Sequence, residues 1–489
     1  MTSAPMPDEL SGGRPILFRN ATVLSMDPAI GVIEGGDVLV RGERIEAVGK
    51  SLPAPDDAAV IDATGGIVMP GMIDTHRHMW QTAMRGFGAD WTLSQYFVFY
   101  YLNWGKIFRP ADIYAGNLLS AVESVDAGVT TTVDWSHGLQ TVEHGDAAVE
   151  ALREVPGRFV LAYGNLLGAP WEWSHAKEFR AFVDRNFGSR DDMLGLQLAF
   201  DVTGDAAFPE KGAFEAAREL DLAVTTHAGV WGATDDNGIR LMWEHGFMTP
   251  KVTYVHAATL EPDSYQRIAA SGGNVSIATE SEQSAGQGYP SSWEIRKYGI
   301  PASLSMDTSV WWSGDMFGAM RSTLSADRSR DHLEAHASKE TVVHNKLRAE
   351  QVVEWTTMGG ARALGLDDVI GSLTPGKKAD VVLIKNDRSP AMFPILHPYG
   401  HVVYQAGRGD VHTVLINGKV VKYRHELVGV DLDKARTAVG ATVEYARRQI
   451  GEDGWREFMT PEIPDNAPIA NPYTYSEYRG EGVAVQHES

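Results

Sequence analysis

Across residues 66–371 the chain repeats one pattern eight times: a short apolar segment followed by helical or loop sequence. The segments are residues 67–75, 129–135, 159–163, 194–200, 222–227, 252–256, 274–279 and 302–306. Eight strand-then-helix units close most simply into a (β/α)8 TIM barrel, an α/β fold whose chemistry sits at the C-terminal strand ends. The flanking sequence has a different texture. Residues 14–65 ("DVLVRGERIEAVG") and 372–425 ("VHTVLINGKVVKY") read as short alternating strands and turns. They predict a small β-sandwich-like domain built from both chain ends around the barrel. Residues 1–13 read as a disordered N-terminus, and 426–489 as a helix near 430–451 followed by a Pro-rich extended tail.

Composition limits the function classes. With 489 residues and 43% hydrophobic content, several structural units and a large core are expected. The chain has no cysteine, which leaves only nitrogen and oxygen donors for any metal. A formal charge of −21 disfavours nucleic acid and anionic lipid as partners. No apolar run reaches the roughly 18 to 20 residues a membrane helix needs, and "MTSAPMPDELSGGRP" carries no leader pattern. The expectation is a cytoplasmic protein.

Polar residues interrupt apolar sequence at several predicted strand ends. The first unit ends in "MPGMIDTHRHMW", with His76 and His78 two residues apart and therefore on one face of a strand. Among 16 histidines such a pair carries little weight alone. It gains weight from His227 in "LAVTTHAG", His256 in "VTYVHAAT" and Asp307 in "ASLSMDTS", all at the site-building ends. Strand phase agrees. If His227 points inward, so do Ala223 and Thr225, leaving Leu222 and Val224 outside. If Asp307 points inward, so do Ser303 and Ser305, leaving Leu304 and Met306 outside. Elsewhere, Asp315 reads as an N-cap, His332, His336 and His344 as surface residues, and His137 in "VDWSHGLQ" as a residue within reach of a substrate.

The order HxH, His, His, Asp, with "PGMIDTHRH" as its most specific element, resembles the amidohydrolase superfamily, in the branch of triazine hydrolases and S-adenosylhomocysteine or methylthioadenosine deaminases. The likeness runs from about Ile16 to Tyr423. It implies that His76, His78, His227 and Asp307 hold one divalent metal per subunit, Zn2+ or Fe2+, and that His256 orients the water or the reacting group. Asp307 could also take the proton that the water releases. Two-metal relatives bridge their ions through a lysine on the fourth strand. Here that segment is "MLGLQLAFDVTG", so a mononuclear site is implied. Ring-deaminating relatives carry H-x-x-E after the fifth strand, whereas Val230 stands in the glutamate's place here. Carrying the strand phase through "NVSIATESEQ" points Glu280 and then Glu282 into the pocket, with Glu280 as the replacement acid and Glu282 as a substrate contact.

Tryptophans near the predicted mouth, Trp80, Trp231 and Trp311 among them, suit stacking on a planar ring. The expected partner is a small aromatic or heteroaromatic molecule, and the expected reaction is metal-dependent hydrolytic deamination of an amino-substituted ring. Hydrolysis of an amide, cyclic amide or ring halide is the alternative within enzymes. A non-catalytic scaffold of the same fold is the alternative outside them. The resemblance and the extended tail also imply a homodimer or higher homo-oligomer.

Overall fold

The computed structural model describes Leu10 and residues 13–188, 193–230 and 233–463. Eight parallel strands, Met72–Arg77, Val129–Ser136, Arg158–Tyr163, Leu194–Ala199, Ala223–Ala228, Val252–His256, Asn274–Ile277 and Ala302–Leu304, pair in sequence order and form the barrel, numbered one to eight below. A bridge between Arg77 and Asp307 brings its two edges together. The eighth strand thus ends where the site begins.

The first predicted strand divides in two. Ile67–Pro70 belongs to the outer sheet, and the barrel strand starts at Met72. Gly71 makes the crossing possible, because a Cβ there would lie 2.0 Å from Thr130 Oγ1. The seventh predicted strand is shorter than read. It stops at Ile277, and a helix, Thr279–Ser284, follows.

The outer sheet has nine strands and joins both chain ends, as the flanking sequence predicts. Its seam is Val381–Ile384 running antiparallel to Ile67–Pro70, with Val382 opposite Met69. Buried Phe18, Val38, Val68, Leu383 and Leu415 form a core of its own. The barrel's larger core lies between strands and helices. The barrel interior is divided: Val133, Val160, Ala162, Ala199 and Val255 form an apolar patch, and beside it Thr75 Oγ1 bonds Ser276 Oγ (2.7 Å) and Ser303 Oγ (2.8 Å), and Ser276 bonds Ser305 (3.0 Å). The inward phase of Ser303 and Ser305 agrees with this ladder. On the first strand strict alternation fails, since Thr75 faces the same interior as His76. The register shift between Asp74 and Arg77 accounts for it.

The C-terminal helix runs Leu432–Glu457, with a kink at Gly451 (φ 72°, ψ 170°). It packs on Pro110–Asp126, where Thr442 Oγ donates to Asp112 (2.9 Å). Asp315 caps Met316–Ala337 by accepting the Gly318 N–H at 2.9 Å. His336 and His344 are exposed and His332 is half-buried. The predicted tail beyond residue 463 and Trp231 lie outside the described residues, as does most of the predicted N-terminal segment.

Candidate metal centre

His76 lies in the first strand and His78 directly after it, His227 lies within the fifth, His256 ends the sixth, and Asp307 follows the eighth. His256 and Asp307 adopt left-handed backbone (φ 71° and 64°), a conformation that turns both side chains at the strand ends and costs free energy unless the surroundings enforce it. For Asp307 the enforcement is visible. Its N–H donates to the His76 carbonyl (3.1 Å), and the His78 N–H donates to its carbonyl (2.8 Å).

The side chains converge. Asp307 Oδ1 lies 3.2 Å from His76 Nε2 and 3.4 Å from His78 Nε2. Donors bound at about 2.1 Å to one tetrahedral ion lie roughly 3.4 Å apart, so these spacings fit a shared metal. Donor atoms of His76, His227 and His256 also fall within 4.8 Å of one another.

The second ring nitrogens are anchored elsewhere. His78 Nδ1–H donates to the Trp135 carbonyl (2.8 Å), and His227 Nδ1–H donates to Asp201 Oδ1 (2.9 Å). Each bond fixes the tautomer and leaves Nε2 as the lone-pair donor. Burial holds His76 well below the usual histidine range and His78 at about 4, so both are neutral at pH 7. Burial opposes ionisation of Asp307, but the hydrogen bond from His76 and the neighbouring histidines outweigh it and keep the carboxyl well below its ordinary value. At His227 burial is likewise outweighed, here by Asp201, and the pKa is raised. Imidazole nitrogens with one carboxylate, in a chain without thiols, are a donor set for a divalent cation of borderline softness.

Above this cluster lies a cavity of about 330 Å³, the size of a small-molecule site. His78, His137, His227, His256, Asp307 and Trp311 line it. Trp80 does not. It is fully buried, and its Nε1–H donates to His137 Nδ1 (3.2 Å), so it acts on the cavity through that histidine.

The two glutamates take different places from those the strand phase predicts. Because Thr279–Ser284 is helical, period-two alternation ends at Ile277. Glu280 accepts the Ser313 hydroxyl (2.7 Å) and does not line the cavity. Glu282 is fully buried behind His256, with Oε1 3.4 Å from His256 Nδ1 and accepting the Ala278 N–H (2.8 Å). It meets the histidine and not the cavity.

Two cavity carboxylates escaped the sequence reading. Asp201, two residues past the fourth strand in "LAFDVTG", obeys the same strand-end rule that exposed the histidines. Asp235 sits in the first turn of the helix Ala233–Glu244, where sequence offers only a helix-start signal.

Residues 67–421 match the family model described as the amidohydrolase family. The 5-methylthioadenosine/S-adenosylhomocysteine deaminase of Desulfitobacterium hafniense (strain Y51) is 29% identical over 440 residues, covering 86% of this chain and 96% of that protein. The 5'-deoxyadenosine deaminase of Methanosarcina mazei is 26% identical over 434 residues, covering 86% and 95%. Among solved structures, atrazine chlorohydrolase from Arthrobacter aurescens TC1, complexed with zinc, shares the fold at a TM-score of 0.74 and 21% identity, over 88% of this chain and 100% of that one. An adenosine deaminase from Xanthomonas campestris with bound zinc does so at 0.74 and 20%, over 88% and 98%.

Proposed function

This chain belongs to the amidohydrolase family, a hydrolase acting on carbon–nitrogen bonds, and from that premise we propose that it hydrolytically deaminates an amino-substituted heteroaromatic ring. The observation that carries the reading is the cluster beneath the cavity: Nε2 of His76 and His78 and Oδ1 of Asp307 at ligand spacing, with the other ring nitrogens of His78 and His227 anchored. His76, His78, His227 and Asp307 would hold one divalent ion per subunit. Zinc is our choice, as it is named with the two solved relatives above. Such an ion lowers the pKa of water and polarises the carbon under attack. His256, backed by Glu282, would orient the water or the reacting group, and Asp307 would hold the proton that the water loses. Deaminases of adenosine-type amines among the relatives support a purine-like substrate, and Trp311 and His137 supply a ring-sized wall.

The test has two arms. Metal analysis of purified protein is expected to give about one zinc per chain. Less than a tenth of an equivalent, with no hydrolysis after zinc or iron is added, would favour a scaffold. A screen of amino-purines, pterins, amino-triazines, chloro-triazines and aryl amides is expected to release ammonia from a ring amine. Chloride or a carboxylic acid as the product would shift the assignment to a halide or amide hydrolase. The proposal also includes a cytoplasmic location and a homo-oligomer, the oligomer supported by a loop that leaves Phe393 83% and Leu396 86% exposed. A monomeric mass in solution would remove the oligomer.

A further inference from the structure

Replacing a ring amine by oxygen needs proton transfers as well as attack by water: the ring nitrogen must gain a proton and the amine must leave as ammonia. Three carboxylates line the cavity, Asp201, Asp235 and Asp307. Two of them are committed to histidines: Asp201 to His227 at 2.9 Å, and Asp307 to His76 and His78 at 3.2 and 3.4 Å. Asp235 enters differently. Its Oδ2 accepts the Val230 N–H at 2.6 Å, a bond that holds the carboxyl group beside the third residue after His227. Val230 itself lines the cavity with only an apolar side chain. Glu280 and Glu282 are turned to Ser313 and His256.

We propose that Asp235 is a catalytic residue that hands a proton to the ring nitrogen and takes one back, an inference that rests on the deaminase reading above. Water oxygen bonds to the amine-bearing carbon and gives one proton to Asp307. The C=N electron pair moves to the ring nitrogen, which takes the proton of Asp235. In the second half the C–N bond to the amine breaks, and the amine leaves as NH3 with the proton held by Asp307. The new hydroxyl gives its proton to Asp235 as its O–H pair becomes C=O. The sum is ring amine plus water to ring carbonyl plus ammonia, with both carboxyls restored.

Asp235→Asn separates this role from a structural one, since the amide oxygen still accepts the Val230 N–H but cannot pass a proton. Wild type and variant are loaded with zinc and assayed on whichever of adenosine, an aminopterin or an amino-triazine wild type turns over. Metal content, KM and kcat are measured for each. The expected result is equal zinc, KM within about threefold, and kcat lower by about 100-fold or more. A kcat loss under about tenfold overturns the inference and leaves the deaminase reading standing. A loss that comes with lost zinc also overturns it, making Asp235 a support of His227. Zinc-loaded wild type that releases no ammonia from any ring amine overturns the reading and the inference together.

Discussion

His78 and Asp307 meet twice, once through the backbone (His78 N–H to Asp307 carbonyl, 2.8 Å) and once through side chains (Nε2 to Oδ1, 3.4 Å). The backbone contact joins the barrel's two edges, and the side-chain contact sets donor spacing. Closure of the fold and assembly of the site are therefore one event. Asp307→Asn tests the division of labour. Asparagine tolerates left-handed backbone, so the barrel should close while the anionic donor is lost. Zinc is expected below about a tenth of an equivalent with an unchanged circular dichroism spectrum. Asp307→Ala should lose zinc equally and also about 1–2 kcal/mol of stability, because a Cβ without a polar tip is poorly tolerated there. A normal zinc content in Asp307→Asn would remove Asp307 from the ligand set.

Asp201 should matter for metal affinity before it matters for folding. It accepts both the His227 Nδ1–H (2.9 Å) and the His227 backbone N–H (3.1 Å). Asp201→Asn weakens the tautomer lock without removing the side chain, and a chelator competition titration should show zinc bound about 10- to 100-fold more weakly. An unchanged affinity would mean that the Asp201 charge does not act through His227.

Stability should also depend on a histidine outside the site. His412, on the outer-sheet strand Val411–Ile416, is held at about 4 by burial and then by His425, whose ring lies 5.1 Å away. Its folded pKa is below the unfolded value of 6.5, so the unfolded chain takes up the proton first. The contribution is complete above pH 6.5 and is lost as pH falls toward 4. Melting of wild type and His412→Gln at about pH 7.5 and about pH 4.5 should show wild type losing more on acidification. Equal losses would place His412 in a solvated setting.

How much of this was written in the sequence differs by element. The barrel ligands were legible because a histidine or aspartate that ends an apolar run is conspicuous, and strand phase checks it independently. Asp201 is legible by the same rule, since it stands two residues past the end of the fourth strand at Ala199. Glu280 was misplaced because period-two phase has meaning only while the chain stays extended. Helix begins at Thr279, and one turn carries the side chain to Ser313. Asp235 is not legible as a cavity residue, since a helix start carries no signal of which strand end it will face.

Glu280 and Glu282 should therefore respond oppositely to the same substitution. Glu280→Gln keeps an acceptor for the Ser313 hydroxyl outside the cavity, and kcat should stay within about threefold of wild type. Glu282→Gln removes the acid behind His256 and should slow kcat by about tenfold or more with zinc retained, the behaviour of a positioning residue. A slow Glu280→Gln beside a fast Glu282→Gln would reverse the two roles.

The last expectation concerns a tryptophan that reaches the cavity only through another residue. The indole N–H of Trp80 is a donor and nothing else, so His137 Nδ1 must accept, and its proton sits on Nε2. Burial, followed by the nearby histidines, keeps His137 well below the usual range, so this neutral tautomer persists at pH 7. Trp80→Phe should keep the edge contacts to Tyr100 and Phe108, whose rings lie 5.3 and 5.5 Å away, but it deletes the donor. A hydrogen bond of about 0.5–1.5 kcal/mol then no longer holds the ring at the cavity wall. The substrate's KM should rise by up to about tenfold, with kcat and zinc content within about threefold of wild type. A collapse of kcat at unchanged KM would mean that His137 serves the reaction itself and not the seating of the substrate.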